Sequence, residues 1–372
     1  MKVIIAAAGT GGHINPGIAI AGLIEKEYPN SDVRFIATGK KLEEDLISKA
    51  GYKSYAIHAY GFSKKLTPDN IKKTIKTIQG FKEAKKILKE FKPDIVIGTG
   101  GYICGAVISS AKSLGIPTLL HESNAYPGLA IRMLARKTDT ILVGIEDAKN
   151  SLKKAKRVVY TGTPTKVKPL KLTTTDKKRI LKELGINDKL PIVLVFGGSQ
   201  GAKRINDCII DIIKNNMNKE YQIVWSTGAI QYDIIKEELK KDNIDIEKVN
   251  NAKILPYIYN MDEVMSISDL VVARSGALTL TELALLGKPA IFIPLPSSSA
   301  NRQEDNARVF EKKGAAKIIL NNEVNKDNLN NMIKEIVLDK EKLKKMSEAS
   351  KTLGILDVDE RIIKEIKRLV EK

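Results

Sequence analysis

The sequence predicts an α/β protein made of two doubly wound parallel sheets, one after the other. Three observations carry that prediction. Short β-rich runs alternate with helical patterns, the runs are apolar throughout, and the pattern restarts after a break at Thr161-Gly162-Thr163-Pro164. Strands buried on both faces read as unbroken aliphatic runs, and strands separated by helices pair in parallel. A chain of 372 residues fits two domains at roughly 100–200 residues each.

In the first half, strands are expected at Lys2–Ala8, Val33–Ala37, Ile95–Gly98, Thr118–His121 and Thr140–Val143. Helical patterns lie between them at Ile18–Tyr28, Glu43–Lys49 and Ile71–Phe91. The polar segment Thr165–Lys178 then reads as a linker. Strands resume at Ile192–Phe196, Gln222–Ser226, Ala252–Leu255, Leu270–Ala273 and Ala290–Pro294. The natural division is 1–163 and 164–349. The C-terminal stretch, about 350–372 with a helix over Asp357–Lys372, is expected to pack back on the first half.

No apolar run approaches the ~20 residues that cross a bilayer, and the apolar start breaks at Gly9 too early for a signal peptide. Cys104 and Cys208 make neither a disulfide framework nor a C-x-x-C pair, which fits a reducing compartment. The net charge of +18 suggests nucleic acid at first sight, but it is uneven: +12 over residues 1–163 against +6 over the rest. Only 11 of the 62 basic residues are arginine, the residue whose fork suits bases and phosphates. No nucleic-acid module is recognisable and aromatics make up 5%.

Several strands end in glycine clusters. Ligands of open α/β sheets bind beyond the carboxyl ends of the strands, where glycine lets backbone N–H groups approach a phosphate at a helix N-terminus. Four such loops stand out: Gly9-Thr10-Gly11-Gly12-His13, Gly98-Thr99-Gly100-Gly101-Tyr102, Gly197-Gly198-Ser199-Gln200-Gly201 and Arg274-Ser275-Gly276-Ala277. The first nearly meets G-x-G-x-x-G, but Ile14 occupies the third glycine position and no acidic residue follows the second strand. A hydride-transfer Rossmann enzyme is therefore disfavoured. Ala202 breaks the P-loop pattern between Gly197 and Lys203. What remains is a doubled scaffold suited to a nucleoside diphosphate and a second polar ligand. Glu282 fits two roles, a ribose-binding carboxylate or the partner of Thr279 in a capping box.

Five segments in register then match a known family: Gly9–Gly17, Gly100-Gly101-Tyr102, His121-Glu122-Ser123-Asn124, Gly197–Ala202 and Arg274–Thr279. Together they closely resemble the MurG family of N-acetylglucosaminyltransferases. The resemblance implies a GT-B fold of two Rossmann-like domains across a cleft, acceptor side first and donor side second. It implies inverting transfer from UDP-N-acetylglucosamine to the C4 hydroxyl of the N-acetylmuramyl unit of lipid I, giving lipid II. It further implies a peripheral place on the cytoplasmic face of the cell membrane, with other cell-wall synthesis proteins as candidate partners and no nucleic acid.

By the same resemblance, the donor set is Thr10, Gly11, Gly12, Asn124, Lys166, Ser199, Gln200, Ile258, Arg274, Ala277, Leu278, Thr279, Glu282, Gln303 and Glu304. Ser199 and Arg274 would meet the diphosphate, the backbone of Ile258 the uracil, Glu282 the ribose, and Asn124 and Gln303 the sugar. Three positions depart from the family: Glu304 replaces a glutamine, Lys166 an arginine and Ser123 a common glutamine. Gly100, Gly101 and Tyr102 would form acceptor-side loops. No cofactor is expected to be required and no metal site is expected, with a divalent cation at most stimulatory.

Inverting transfer needs a base at the acceptor hydroxyl. Of the three histidines, His13 follows the first glycine loop and has the ionisation range a base needs. Glu122 is the alternative base. His121 ends a buried strand and reads as structural, and His58 as an ordinary partly exposed residue. Residues 64–92 hold ten lysines against three acids, with Ile71, Ile75, Ile78, Phe81 and Leu88 at helical spacing. Lys72, Lys73, Ile75, Lys76, Ile78 and Phe81 form a candidate membrane patch, worth about 1 kcal/mol per lysine near an anionic surface. The plain alternative is a solvated helix face. The remaining rivals are a GT-B glycolipid transferase using another UDP-hexose, a UDP-sugar epimerase and a basic nucleic-acid-binding protein.

Overall fold

The computed structural model describes residues 1–60, 67–167, 169–170, 172–198, 200–296 and 301–371, and within the helix at 68–91 the side chains from Lys76 onward. Two compact units form: residues 1–166 with 355–372, and residues 167–354. The division thus falls at 166/167 and 354/355, a few residues beyond the sequence-based boundaries.

The first unit begins β1 (Lys2–Ala7), α1 (Gly11–Glu27), β2 (Asp32–Ala37), α2 (Lys41–Lys49), β3 (Lys53–Ala56) and α3 (Pro68–Phe91). It continues β4 (Ile95–Gly100), α4 (Ile103–Ser113), β5 (Thr118–Glu122), α5 (Leu129–Leu134), β6 (Thr140–Val143) and β7 (Val158–Tyr160). The second unit runs α6 (Thr174–Leu184), β8 (Ile192–Phe196), α7 (Lys203–Lys214), β9 (Gln222–Ser226), α8 (Ala229–Lys241), β10 (Ala252–Leu255) and α9 (Met261–Ile267). It closes with β11 (Leu270–Ala273), α10 (Ala277–Leu286), β12 (Ala290–Phe292), α11 (Arg302–Lys312), β13 (Ala316–Ile318), α12 (Lys326–Val337) and α13 (Lys340–Lys351). The C-terminal helix α14 (Val358–Val370) belongs to the first unit.

The strand order is β3-β2-β1-β4-β5-β6-β7 in one sheet and β10-β9-β8-β11-β12-β13 in the other. Every ladder is parallel. The central strands β1, β4, β5, β8, β9 and β11 are buried along nearly their whole length, as their aliphatic runs require. One apolar cluster lies on each face of the first sheet. In the second unit Trp225 and Tyr221 are fully buried, and the Tyr221 hydroxyl donates to Asn330 Oδ1 at 2.9 Å.

α1 starts seven residues before the expected Ile18. Gly11 and Gly12 are helical and Pro16 is carried inside the helix, so residues read as breakers are part of the element. Pro16 cannot donate a hydrogen bond to Gly12, a cost the buried Ile14, Ile20 and Ile24 offset. α14 buries Val358, Ile362, Ile366 and Leu369 in the cluster that holds α1, the one-sided stripe of an amphipathic helix. Glu365, 2% exposed, secures it with hydrogen bonds from Arg157 (2.7 and 2.9 Å) and Arg368 (2.9 Å).

Candidate functional site

Both sheets reverse their strand order once, between β1 and β4 and between β8 and β11. The four glycine segments singled out in the sequence lie at the carboxyl ends of these four strands. Each pair of loops therefore stands at a topological switch point, where the neighbouring crossovers diverge and leave room for a ligand.

In the first unit, Thr10 is the N-cap of α1 and makes no side-chain cap. The backbone N–H groups of Gly11 and Gly12 begin the helix, a natural seat for an anion. His13 is half-buried, and its Nδ1 lies 2.9 Å from the Ala8 carbonyl. A carbonyl only accepts, so Nδ1 carries the hydrogen and the neutral ring keeps its lone pair on Nε2. Thr99 Oγ1 donates to the His13 carbonyl at 2.8 Å. Gly100, at φ 133°, lies against the ring: a Cβ there would stand 2.4 Å from His13 Cδ2. The second glycine loop thus packs on the candidate base, and only glycine fits. Tyr102, 63% exposed, caps the start of α4 beside it.

Glu122 is 6% exposed and both its oxygens are occupied. Oε1 accepts from the Asn124 backbone (2.9 Å) and side chain (2.8 Å), and Oε2 from Gly128 N–H (2.7 Å). Glu122, the alternative base of the sequence analysis, thus also holds the loop that presents Asn124. His121 is fully buried, its Nε2 3.1 Å from the Gly162 carbonyl, and burial lowers its pKa so that the ring stays neutral. His58 is better connected than the sequence suggests, with Nδ1 2.9 Å from Glu83 Oε1 and its backbone N–H donating to Oε2. Lys166 is exposed at the end of the first unit.

In the second unit, the Gly197–Gly201 loop turns through a Gly201 N–H bond to the Gly198 carbonyl at 2.9 Å. Gly201 has φ 77°, and a Cβ would lie 2.1 Å from the Thr227 carbonyl, which forbids any larger residue. Asn206, 1% exposed, anchors the region: Nδ2 donates to Thr227 O (2.9 Å) and Gln231 Oε1 (2.7 Å), and Oδ1 accepts from Trp225 Nε1 (3.1 Å). Gln200 is exposed; Ser199 lies outside the described residues.

Gly276 is the N-cap of α10, so Ala277, Leu278 and Thr279 supply its first-turn N–H groups. Thr279 therefore sits inside the helix and is not the cap, which removes the capping-box role for Glu282. Arg274 Nη1 donates to the carbonyls of Ile293 (2.8 Å) and Pro294 (3.1 Å). Burial draws its pKa below the ordinary arginine range, yet an arginine so placed stays charged. Ser275 and Asn306, both fully buried and absent from the sequence-based set, fix this loop. Ser275 Oγ donates to the Gln303 carbonyl (2.7 Å), and Asn306 Nδ2 to the Ser275 carbonyl (3.1 Å). Gln303 Oε1 accepts from Leu295 N–H at 2.9 Å. Glu304 pairs through Oε1 with Arg308 Nη2 at 3.0 Å on α11. Ile258 is buried at 3% exposure in the β10–α9 connection.

Among the described residues, no group of three or more His, Cys, Asp or Glu side chains is arranged to hold a metal ion, and no helix is long and apolar enough to cross a membrane.

Residues 3–143 match the glycosyltransferase family 28 N-terminal domain, and residues 192–362 the family 28 C-terminal domain. The chain is 41% identical over 370 residues, covering 100% of both chains, to a Ruminiclostridium cellulolyticum protein. That relative is named UDP-N-acetylglucosamine–N-acetylmuramyl-(pentapeptide) pyrophosphoryl-undecaprenol N-acetylglucosamine transferase. Among solved structures, Acinetobacter baumannii MurG is 26% identical with a TM-score of 0.76, covering 99% of this chain and 100% of that one. A Neisseria meningitidis UDP-GlcNAc 2-epimerase, solved with UDP-GlcNAc, is 18% identical with a TM-score of 0.65, covering 99% of this chain and 100% of that one. This second likeness speaks to the fold alone, which is GT-B.

Proposed function

The chain belongs to glycosyltransferase family 28, and from that premise we propose that it transfers N-acetylglucosamine from UDP-N-acetylglucosamine to lipid I, giving lipid II. The observation that carries this is the 41% identity, end to end, to a relative with that name. Radiolabelled N-acetylglucosamine should pass to a short-chain lipid I analogue; a preference for UDP-glucose or UDP-galactose would overturn the reading.

The chemistry inverts the anomeric carbon. As the C4 oxygen of the N-acetylmuramyl unit attacks C1, His13 Nε2 takes its proton and the C1–O bond to UDP breaks. The transition state is oxocarbenium-like, so charge grows on the leaving diphosphate. Arg274 and the first-turn N–H groups of α10 meet that charge, and the family resemblance assigns Ser199 and Gln200 to the same diphosphate. Glu282 accepts the ribose hydroxyls, the Ile258 backbone reads uracil, and Asn124, Gln303 and Glu304 address the sugar. Thr10, Gly11, Gly12 and Lys166 complete the donor set, while Gly100, Gly101 and Tyr102 receive the acceptor. Charge on UDP is answered by the protein's own groups, so turnover should survive EDTA, with divalent cations only stimulating.

The acceptor's polyprenyl chain would hold the reaction at a membrane surface, and exposed apolar and basic side chains of the first unit support docking there. Ile78 is 57% and Phe81 38% exposed on α3, beside exposed Lys76. The side chains of Lys72, Lys73 and Ile75 lie outside the described residues. Met133 on α5 of the same unit is 66% exposed. Flotation with anionic vesicles should weaken on replacing Lys76, Ile78 and Phe81 together; no dependence on anionic lipid would remove the membrane role.

A further inference from the structure

We propose that Glu43 is a positioning residue that sets the tautomer of His13 through the peptide joining Ala8 to Gly9. The inference rests on the reading of His13 as the base and extends it by one residue.

Glu43 lies in the first turn of α2 and is fully buried, whereas its neighbour Glu44 is exposed. Oε1 accepts the Gly9 N–H at 2.7 Å and Oε2 the Thr38 N–H at 2.7 Å. The Thr38 hydroxyl lies 2.8 and 2.9 Å from the two oxygens. Among the described residues these hydrogen bonds, and no ion pair, hold the carboxylate. A helix start would favour an acid equally well at the surface, so burial here has to be offset by what the carboxylate organises.

What it organises is a peptide plane. The Gly9 N–H and the Ala8 carbonyl are opposite ends of one planar trans unit, so gripping the N–H fixes where the carbonyl points. The carboxylate also polarises that unit, making the Ala8 oxygen a stronger acceptor. That oxygen is the one 2.9 Å from His13 Nδ1. Carboxylate, peptide and imidazole thus form a chain in which the hydrogen is kept on Nδ1 and the lone pair on Nε2. This is the task of the third group in a nucleophile–base–orienter set, carried out through a backbone amide.

The chain has three histidines, His13, His58 and His121, so 15N-histidine labelling with His13→Ala for assignment isolates the ring. At a pH where the ring is neutral, the unaltered protein should show a protonated Nδ1 and a bare Nε2 at His13. Glutamine can accept for only one of the two amides, so Glu43→Gln should give a mixture of tautomers. Its kcat should fall about tenfold, with KM for UDP-N-acetylglucosamine within about twofold. On a His13→Ala background the same change should cost less than about twofold, the coupling expected when one group acts through the other. Glu43→Asp, which withdraws the carboxylate, gives the same readouts if the glutamine variant does not fold. An unchanged His13 tautomer, or an equal cost in both backgrounds, overturns the proposal. Full turnover in His13→Ala alone would instead remove the base reading, and with it the purpose of the relay.

Discussion

The glycine loops of the two units are fixed by opposite means. In the first unit the loop before His13 is held by a buried carboxylate, Glu43. In the second, neutral groups do the holding: Asn206 behind the Gly197–Gly201 loop, and Ser275 and Asn306 behind Arg274. The difference follows from what each loop is to meet. On the proposed roles, a carboxylate behind the His13 loop orients the base through the backbone, whereas a carboxylate directly behind Arg274 would compete with the diphosphate for that arginine. Neutral amides and hydroxyls give the same rigidity without the charge.

The largest effect should come from the element that the first arrangement serves. His13→Ala should lower kcat by about 10²–10⁴, read in the lipid I transfer assay with KM little changed. Next, Arg274→Ala should cost about 10²–10³ in kcat. Arg274→Lys should recover little, because Nη1 alone holds the Ile293 and Pro294 carbonyls and lysine has no second nitrogen to offer the diphosphate.

A direct way to break the comparison is to put a carboxylate where the second unit has an amide. Asn206→Asp loses the donor and faces two acceptor oxygens with a negative charge. It should cost about 3 kcal/mol in urea unfolding, and weaken UDP-N-acetylglucosamine binding by calorimetry; a neutral outcome would show that charge is no constraint there.

The first unit itself sharpens the contrast, since Glu365, another deeply buried carboxylate, is paired with arginines. Burial alone would raise the Glu365 pKa, but hydrogen bonds from Arg157 and Arg368 hold it below the usual carboxylate range. A lowered folded pKa adds stability above the unfolded value of about 4.3, which is lost as pH falls through the folded one. Glu365→Gln should therefore cost about 2 kcal/mol at pH 7 and flatten the acid limb of stability between pH 5 and 2. Hydrogen exchange in α14 gives the local readout.

The buried strands were legible because their surroundings are uniform: an aliphatic run such as Ile192–Phe196 has few other places to go. The edge strands β3, β7 and β13 were not. Lys53–Ala56 is short, polar and largely exposed, and becomes a strand only because β2 offers it a partner. The start of α1 was hidden because Gly11, Gly12 and Pro16 are locally poor helix formers overruled by packing. The four loops showed themselves through glycine, but the groups that hold them did not. Glu43, Asn206, Ser275 and Asn306 bond largely to backbone atoms distant in sequence, and nothing in a residue's own neighbourhood announces that. Thr279-x-x-Glu282 was a local signal that misled, since the helix begins at Gly276 instead.

The return of α14 to the first unit also has a consequence for synthesis. The stripe of Val358, Ile362, Ile366 and Leu369 that packs in the α1 cluster is made only after the second unit. Residues 167–354, the whole second unit, must be translated first. At about 5–20 residues per second that is a wait of roughly 10–40 s. Through it the nascent first unit keeps one apolar flank open, so its closure waits on translation of the second unit.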